Sequence, residues 1–98
     1  MIKASPKYDL KRLGKALRTV GEERRLRILC ALFRDGKLCV TDAAKELKMS
    51  VAVASHHLRA MEREKLLKAR KDGRSVYYVF TDKGLAEDLK NLICKWRE

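Results

Sequence analysis

The feature that most constrains this chain is a change of hydrophobic period partway along it. From Leu10 to Met61 the apolar residues recur every three or four positions, as they do on helices. Beyond Leu66 they fall instead in two short runs, Leu66 to Lys71 and Ser75 to Thr81, on either side of Asp72-Gly73-Arg74. The second run is rich in β-branched and aromatic residues, and Asp-Gly favours a tight hairpin because glycine adopts positive φ without a steric penalty. Helices, then a hairpin, then one more helical stripe leave few architectures open to 98 residues. The expectation is a single domain, mainly α with a small β-hairpin (α+β).

The helical part divides at its own punctuation. Residues 1–7, with Lys3, Pro6 and Lys7 and little to bury, read as a flexible basic arm, and 8–98 as the folded domain. Leu10, Leu13, Leu17 and Val20 form the stripe of a first helix that Gly21 breaks. Glu22 and Glu23 open a second helix with the stripe Leu26, Leu29, Cys30 and Phe33, ended by Gly36. Thr41 is the expected N-cap of a third helix through Ala43, Ala44 and Leu47. Ser50 caps a fourth, running to about Glu64, with Val51, Ala54, Leu58 and Met61 on one face. Two short helices joined by a tight turn are a helix-turn-helix, and the hairpin behind them makes it winged. Leu85, Leu89, Leu92, Ile93 and Trp96 share one face of a last helix, so the order is four helices, two strands and a helix.

Charge then narrows the partner. With 24 Lys and Arg against 13 Asp and Glu, the net charge is +11, which demands a strongly basic surface and an acidic partner. Nucleic acid comes first, because its phosphates reward clustered cations by releasing counterions, and a membrane surface comes second. No stretch approaches the roughly 20 consecutive apolar residues of a bilayer span and no apolar signal segment opens the chain, so a cytosolic protein without a membrane partner is expected. Cys30, Cys39 and Cys94 cannot all pair within one chain, which makes reduced thiols the default. There is no Gly-rich phosphate loop, no HExxH and no CxxC; no enzyme activity and no cofactor are expected.

A helix that reads the major groove needs one face that packs and an opposite face small and polar enough to enter it. At ~100° per residue, the face opposite Val51, Ala54, Leu58 and Met61 is Ala52, His56, Arg59, Ala60 and Arg63, with Ser55 near the boundary. Ser50, Val51, Ala52, Ser55, His56, Arg59 and Arg63 are therefore the candidate DNA contacts of this helix. Arg70, Lys71 and Arg74 would lie along the sugar-phosphate backbone as the wing. The same residues also suit a solvated basic helix and edge-strand charges that block aggregation. His56 and His57 diverge by ~100° and do not bind one ion together; His57 is expected to hydrogen-bond near the packing boundary while His56 faces DNA.

Glu23-Arg24-Arg25-Leu26-Arg27-Ile28-Leu29, the run Ser50 to Leu58 ending Ser55-His56-His57-Leu58, and Gly73-Arg74-Ser75-Val76-Tyr77-Tyr78 together resemble the ArsR/SmtB family of winged helix-turn-helix repressors. The resemblance covers roughly Leu10 to Trp96. It implies a homodimer that blocks transcription at a palindromic operator on double-stranded DNA and releases it when an effector binds. Arsenic- and cadmium-type members use Cys-x-Cys at the third helix, where this chain has Cys39-Val40-Thr41 and keeps one thiolate. Zinc-type members use carboxylates and histidines on the last helix, where Glu87 and Asp88 occur without histidine. No metal is expected, with Cys39 alone as a candidate ligand. A branch of thiol and persulfide sensors related to the hemolysin regulator HlyU carries one cysteine in helix two and one in the last helix. Cys30 resembles the first, and Cys94 falls somewhat earlier than the second.

The apolar stripes support a dimer without the family. A chain this short does not readily cover both its first and last helices, so Leu10, Leu13, Leu17, Leu85, Leu89, Leu92 and Trp96 are the candidate dimer interface. Pairing them across a two-fold axis would set two reading helices about one DNA turn apart; packing inside a monomer is the other outcome. Besides a repressor, the chain fits a constitutive architectural or RNA-binding winged-helix protein without an effector switch, and a module for an acidic protein partner.

Overall fold

The computed structural model describes residues 8–97, and the expected arm, 1–7, lies outside them. Four of the five helices start where a side chain supplies a partner for an otherwise unpaired backbone N–H. In α1 (Leu10–Val20) the Arg12 N–H donates to Asp9 Oδ1 at 3.0 Å, and in α2 (Glu23–Asp35) the Arg25 N–H donates to Glu22 Oε2 at 3.0 Å. In α4 (Val51–Arg63) Val53 N–H donates to Ser50 Oγ, and in α5 (Lys83–Lys95) Leu85 N–H donates to Asp82 Oδ1, both at 3.0 Å. Gly36 ends α2 in the left-handed region, at φ 81°, with its N–H on the Leu32 carbonyl.

α3 (Val40–Leu47) departs from this pattern: it begins one residue before the expected N-cap Thr41 and has no side-chain cap. The reason is a strand that periodicity does not reveal. Leu38 and Cys39 form β1, pairing antiparallel with Tyr78 and Tyr77. That pairing holds Cys39 extended, and the chain turns into the helix immediately after it. The sheet therefore has three strands rather than the two of a lone hairpin, in the order β1-β3-β2, with β2 Leu67–Asp72 and β3 Ser75–Phe80. Asp72 pairs with Ser75, so the hairpin turn is the two residues Gly73-Arg74, with Gly73 at φ 63°. Behind the hairpin, Thr81 Oγ1 donates to the Lys65 carbonyl at 2.7 Å and Thr81 N–H to the Leu66 carbonyl at 2.9 Å, tying the exit of β3 to the end of α4.

The core forms where α2, α4 and the sheet meet. Ile28, Leu29 and Leu32 of α2, Leu58 and Met61 of α4, and Leu67 of β2 are fully buried, joined by Leu38, Ala43, Ala44, Ala54, Tyr78 and Leu89. This corrects the stripe expected for α2. Ile28, Leu29, Ala31 and Leu32 are buried, Leu26 and Phe33 are half-buried, and Cys30 is exposed. α2 is packed by α3, α4, α5, β1 and β3, so its buried arc is wider than one face and is centred away from Cys30. Two positions of α4 also differ: Val51 is 53% exposed because it sits at the free N-terminal end of the helix, and Ala60 is buried rather than outward. Among the described residues no helix is long and apolar enough to cross a membrane.

Truncating a fully buried side chain in this small core removes its transfer free energy and leaves a void. Leu58→Ala is expected to destabilise the fold by ~2–5 kcal/mol, read as a lowered midpoint in urea unfolding with an unchanged slope.

Candidate nucleic-acid interface

The hydrophobic inner face of α4 decides what its outer face presents. With Ala54, His57, Leu58 and Met61 buried, Val51, Ala52, His56, Arg59 and Arg63 are exposed and Ser55 is half-buried. Small side chains thus alternate with three hydrogen-bond donors on a helix whose capping serine, Ser50, is itself exposed. Spacings of three and four residues place Ala52, His56, Arg59 and Arg63 along one side of the helix.

A polar clamp sets the orientation of that helix against the body. Arg25 Nε donates to His57 Nδ1 at 3.1 Å, and Arg25 Nη1 donates to the Thr19 carbonyl at 3.0 Å. One guanidinium thereby joins α1, α2 and α4. Glu22 Oε2 lies 3.9 Å from the same His57 nitrogen, and the His56 ring meets the His57 ring edge-on with centroids 5.5 Å apart. Desolvation by burial holds His57 below its ordinary pKa; Glu22 opposes this, while Arg25, His56 and Arg24 reinforce it. The geometry requires the same state, because Nδ1 accepts from Arg25 only when it carries no proton. His57 is thus the hydrogen-bonding residue at the packing boundary and His56 the outward one.

Arg70, Lys71 and Arg74 are exposed on the hairpin, but the structure does not bring all three to one side. Arg70 lies opposite Tyr77 and Lys71 opposite Val76, so strand alternation puts Arg70 on the sheet face of Lys68 and Val79, and Lys71 on the face of Ala69 and Tyr78. Arg74 stands in the turn itself. Sequence reasoning passed over a second group of cations. Arg24, Arg27 and Lys48 line a hollow of about 390 Å³ with Met49, Ser50 and Val53 at the N-terminal end of α4. Arg27 is engaged by Glu23 at 3.0 Å, and Lys48 caps α3 in the left-handed region at φ 54°. The clue in the sequence was the three-residue spacing of Arg24 and Arg27, but their closeness to Ser50 comes from the packing of α2 against α3 and α4.

Leu10, Leu13 and Leu17 on α1, Leu92 on α5 and the C-capping Trp96 just after it are exposed, Trp96 at 82%. Leu89 is buried and Leu85 half-buried, both packing within the protomer's own core, so the unpartnered apolar surface is narrower than the sequence stripe. All three cysteines are free, Cys30 and Cys94 exposed and Cys39 half-buried. Among the described residues no three His, Cys, Asp or Glu side chains group closely enough to hold a metal ion.

Residues 22–69 match the model of the bacterial regulatory protein arsR family. A Synechocystis sp. protein named transcriptional repressor SmtB homolog is 41% identical over 63 residues, covering 64% of this chain and 47% of that protein. The Vibrio cholerae protein named transcriptional activator HlyU is 34% identical over 82 residues, 81% of this chain and 75% of its own length. A solved structure of HlyU from Vibrio cholerae superposes with a TM-score of 0.82 at 27% identity, covering 92% of this chain and 97% of that one. The homodimeric winged helix-turn-helix DNA-binding domain of a Mycobacterium bovis protein gives a TM-score of 0.81 at 25% identity, covering 96% and 88%. The chain spans from 47% to 65% of the length of the first four curated relatives it matches.

The clamp makes stability depend on pH with a definite sign. The folded state depresses the His57 pKa below about 6.5, so the unfolded chain takes up the proton first as pH falls. Stability present above about pH 6.5 is lost as pH drops from there toward the folded value. His57→Asn, which keeps an acceptor for Arg25 and removes the titration, is expected to flatten this loss relative to the parent chain. Urea midpoints of both proteins at about pH 7.5 and about pH 5.5 measure it.

Proposed function

The chain belongs to the arsR family of bacterial regulatory proteins, and from that premise we propose that it is a homodimeric, sequence-specific DNA-binding transcriptional repressor acting in the cytoplasm. The observation that carries the proposal is α4. Its inner face is locked by Leu58, Met61 and the Arg25–His57 bond, while Ala52, His56, Arg59 and Arg63 stand free on the other side. In this reading α4 enters the major groove. Ala52 and Val51 lie close to base edges and thymine methyls, and His56 and Arg59 supply donors to guanine or to phosphate. Ser50, Ser55 and Arg63 hold the flanking backbone, with Arg24 and Lys48 beside the helix N-terminus. Arg74 at the hairpin tip and Lys71 along its edge grip the phosphates beyond; Arg70 lies on the opposite sheet face and contributes through its charge.

A palindromic operator follows from a two-fold dimer. The exposed Leu10, Leu13, Leu17, Leu92 and Trp96 supply an apolar surface for a second copy, an arrangement supported by the homodimeric Mycobacterium bovis domain. Repression needs only that the bound dimer occupy the promoter, and the Synechocystis relative carries the name of a repressor. The effector reading rests on Cys30 and Cys94, both exposed and free, on α2 and α5, which pack against each other. Hydrogen peroxide oxidises one thiol to a sulfenic acid with loss of one water, and the second thiol displaces the hydroxyl as a second water, so that an S–S bond links α2 to the dimer helix.

One titration tests these parts together: fluorescence anisotropy of the reduced protein on the duplex upstream of its own gene and on a random duplex, across salt concentrations. Specific binding is expected, with Arg59→Ala weakening it about tenfold on the specific duplex, since a bidentate base contact is worth ~1–3 kcal/mol. Leu92→Glu is expected to yield monomers in sedimentation and to weaken binding. Peroxide is expected to release the parent protein but neither Cys30→Ser nor Cys94→Ser. Equal affinity for both duplexes at every salt concentration would overturn the repressor in favour of the architectural module, and no binding at low salt would point to an acidic protein partner.

A further inference from the structure

A cavity of about 620 Å³ lies between the C-terminal end of α2, the hairpin and α5, away from the reading face of α4. Its floor is apolar. Leu32 and Phe33 come from α2 and Val79 and Phe80 from β3, and the rings of Phe33 and Phe80 meet at 5.5 Å between centroids. Its rim is cationic: Lys68 and Arg70 from one side and Lys83 and Lys90 from the other, against the single lining carboxylate of Glu87. From these we infer that the cavity is a binding site for a small amphipathic organic anion, a carboxylate carried on an apolar body.

Three features fit that chemistry and no simpler one. Four exposed cations line one hollow with a single carboxylate among them, so an anion held there is attracted from both sides. A bare inorganic anion would answer the cations but leave the Phe33–Phe80 floor wet, and an uncharged apolar molecule would cover the floor but leave the cations unanswered. A ligand with both parts satisfies both, and the volume falls within the ~300–1,000 Å³ of ordinary small-molecule sites.

The cavity also stays open in the dimer. Lys83, Glu87 and Lys90 follow one another at four and three residues along one side of α5, while Leu85, Leu92 and Trp96 lie roughly opposite, at ~100° per residue. Strand alternation likewise places Lys68 and Arg70 on the sheet face away from Lys71 and Tyr78. A dimer formed through the exposed stripe leaves these groups free, and the site does not depend on whether the chain binds DNA.

The test is therefore made on the protein free of DNA, by calorimetry and amide chemical-shift titration with decanoate and with 2-naphthoate, and with decanol and inorganic phosphate as the incomplete probes. Saturable binding of at least one carboxylate is expected, with shifts at Phe33, Lys68, Val79 and Lys90, and the body that binds better identifies a chain-like or a ring-like ligand. Lys68→Glu and Lys90→Glu, both at exposed side chains, are each expected to weaken it about tenfold, and Ala86→Trp to abolish it by filling the cavity. Lys45→Glu, an exposed charge reversal on α3 outside the cavity, is expected to leave it unchanged. Decanol binding as tightly as decanoate, loss of binding in Lys45→Glu with none in Lys68→Glu and Lys90→Glu, or no saturable shift with either carboxylate would each overturn the site.

Discussion

The buried face of α2 is the surface on which the rest of the molecule depends. Ile28, Leu29 and Leu32 are buried on the helix that α3, α4, α5, β1 and β3 all meet. A domain of this length has one core, and here that core is built around one helix. Widening the buried arc of α2 has a direct consequence for chemistry. It pushes Cys30 to the surface, turning a residue that reads as a small core side chain into an accessible thiol.

From α2 the order passes to α4 by two routes of different character. Leu58 and Met61 provide nondirectional burial, which holds the helix against the body without setting its rotation sharply. The Arg25–His57 hydrogen bond is directional, and its second arm on the Thr19 carbonyl ties the same guanidinium to α1. Together they decide that Ala52, His56, Arg59 and Arg63 point outward as a set. The paired histidines thus divide their labour by burial: His57 is structural and neutral, and His56 is free to meet a ligand.

α5 divides its surface in a comparable way. One side carries the exposed Leu92, with Trp96 just past its end, the buried Leu89 anchors it to the core, and the opposite side carries the lysines that rim the cavity above Phe33 and Phe80. A molecule bound there would touch the hairpin and α5 at once. In the dimer proposed above, it would thereby bear on the spacing of the two α4 helices.

The sequence by itself determined five helices, the hairpin and the outward set on α4, because each rests on local periodicity, a capping side chain or a turn dipeptide. Gly36, Ser50 and Asp72-Gly73 announce their elements within a few residues of where they act. What only the tertiary structure decided depends on partners distant in sequence. β1 is two residues long and exists because Tyr77 and Tyr78, far along the chain, pair with it, and that pairing moved the start of α3 ahead of Thr41. The exposure of Cys30, the burial of Ala60 and Leu89, the clamp from Arg25 to His57 and the cationic cavity all arise where separate elements converge. Helical spacing states which residues share a face; only packing states how much of the circumference is covered, and by what.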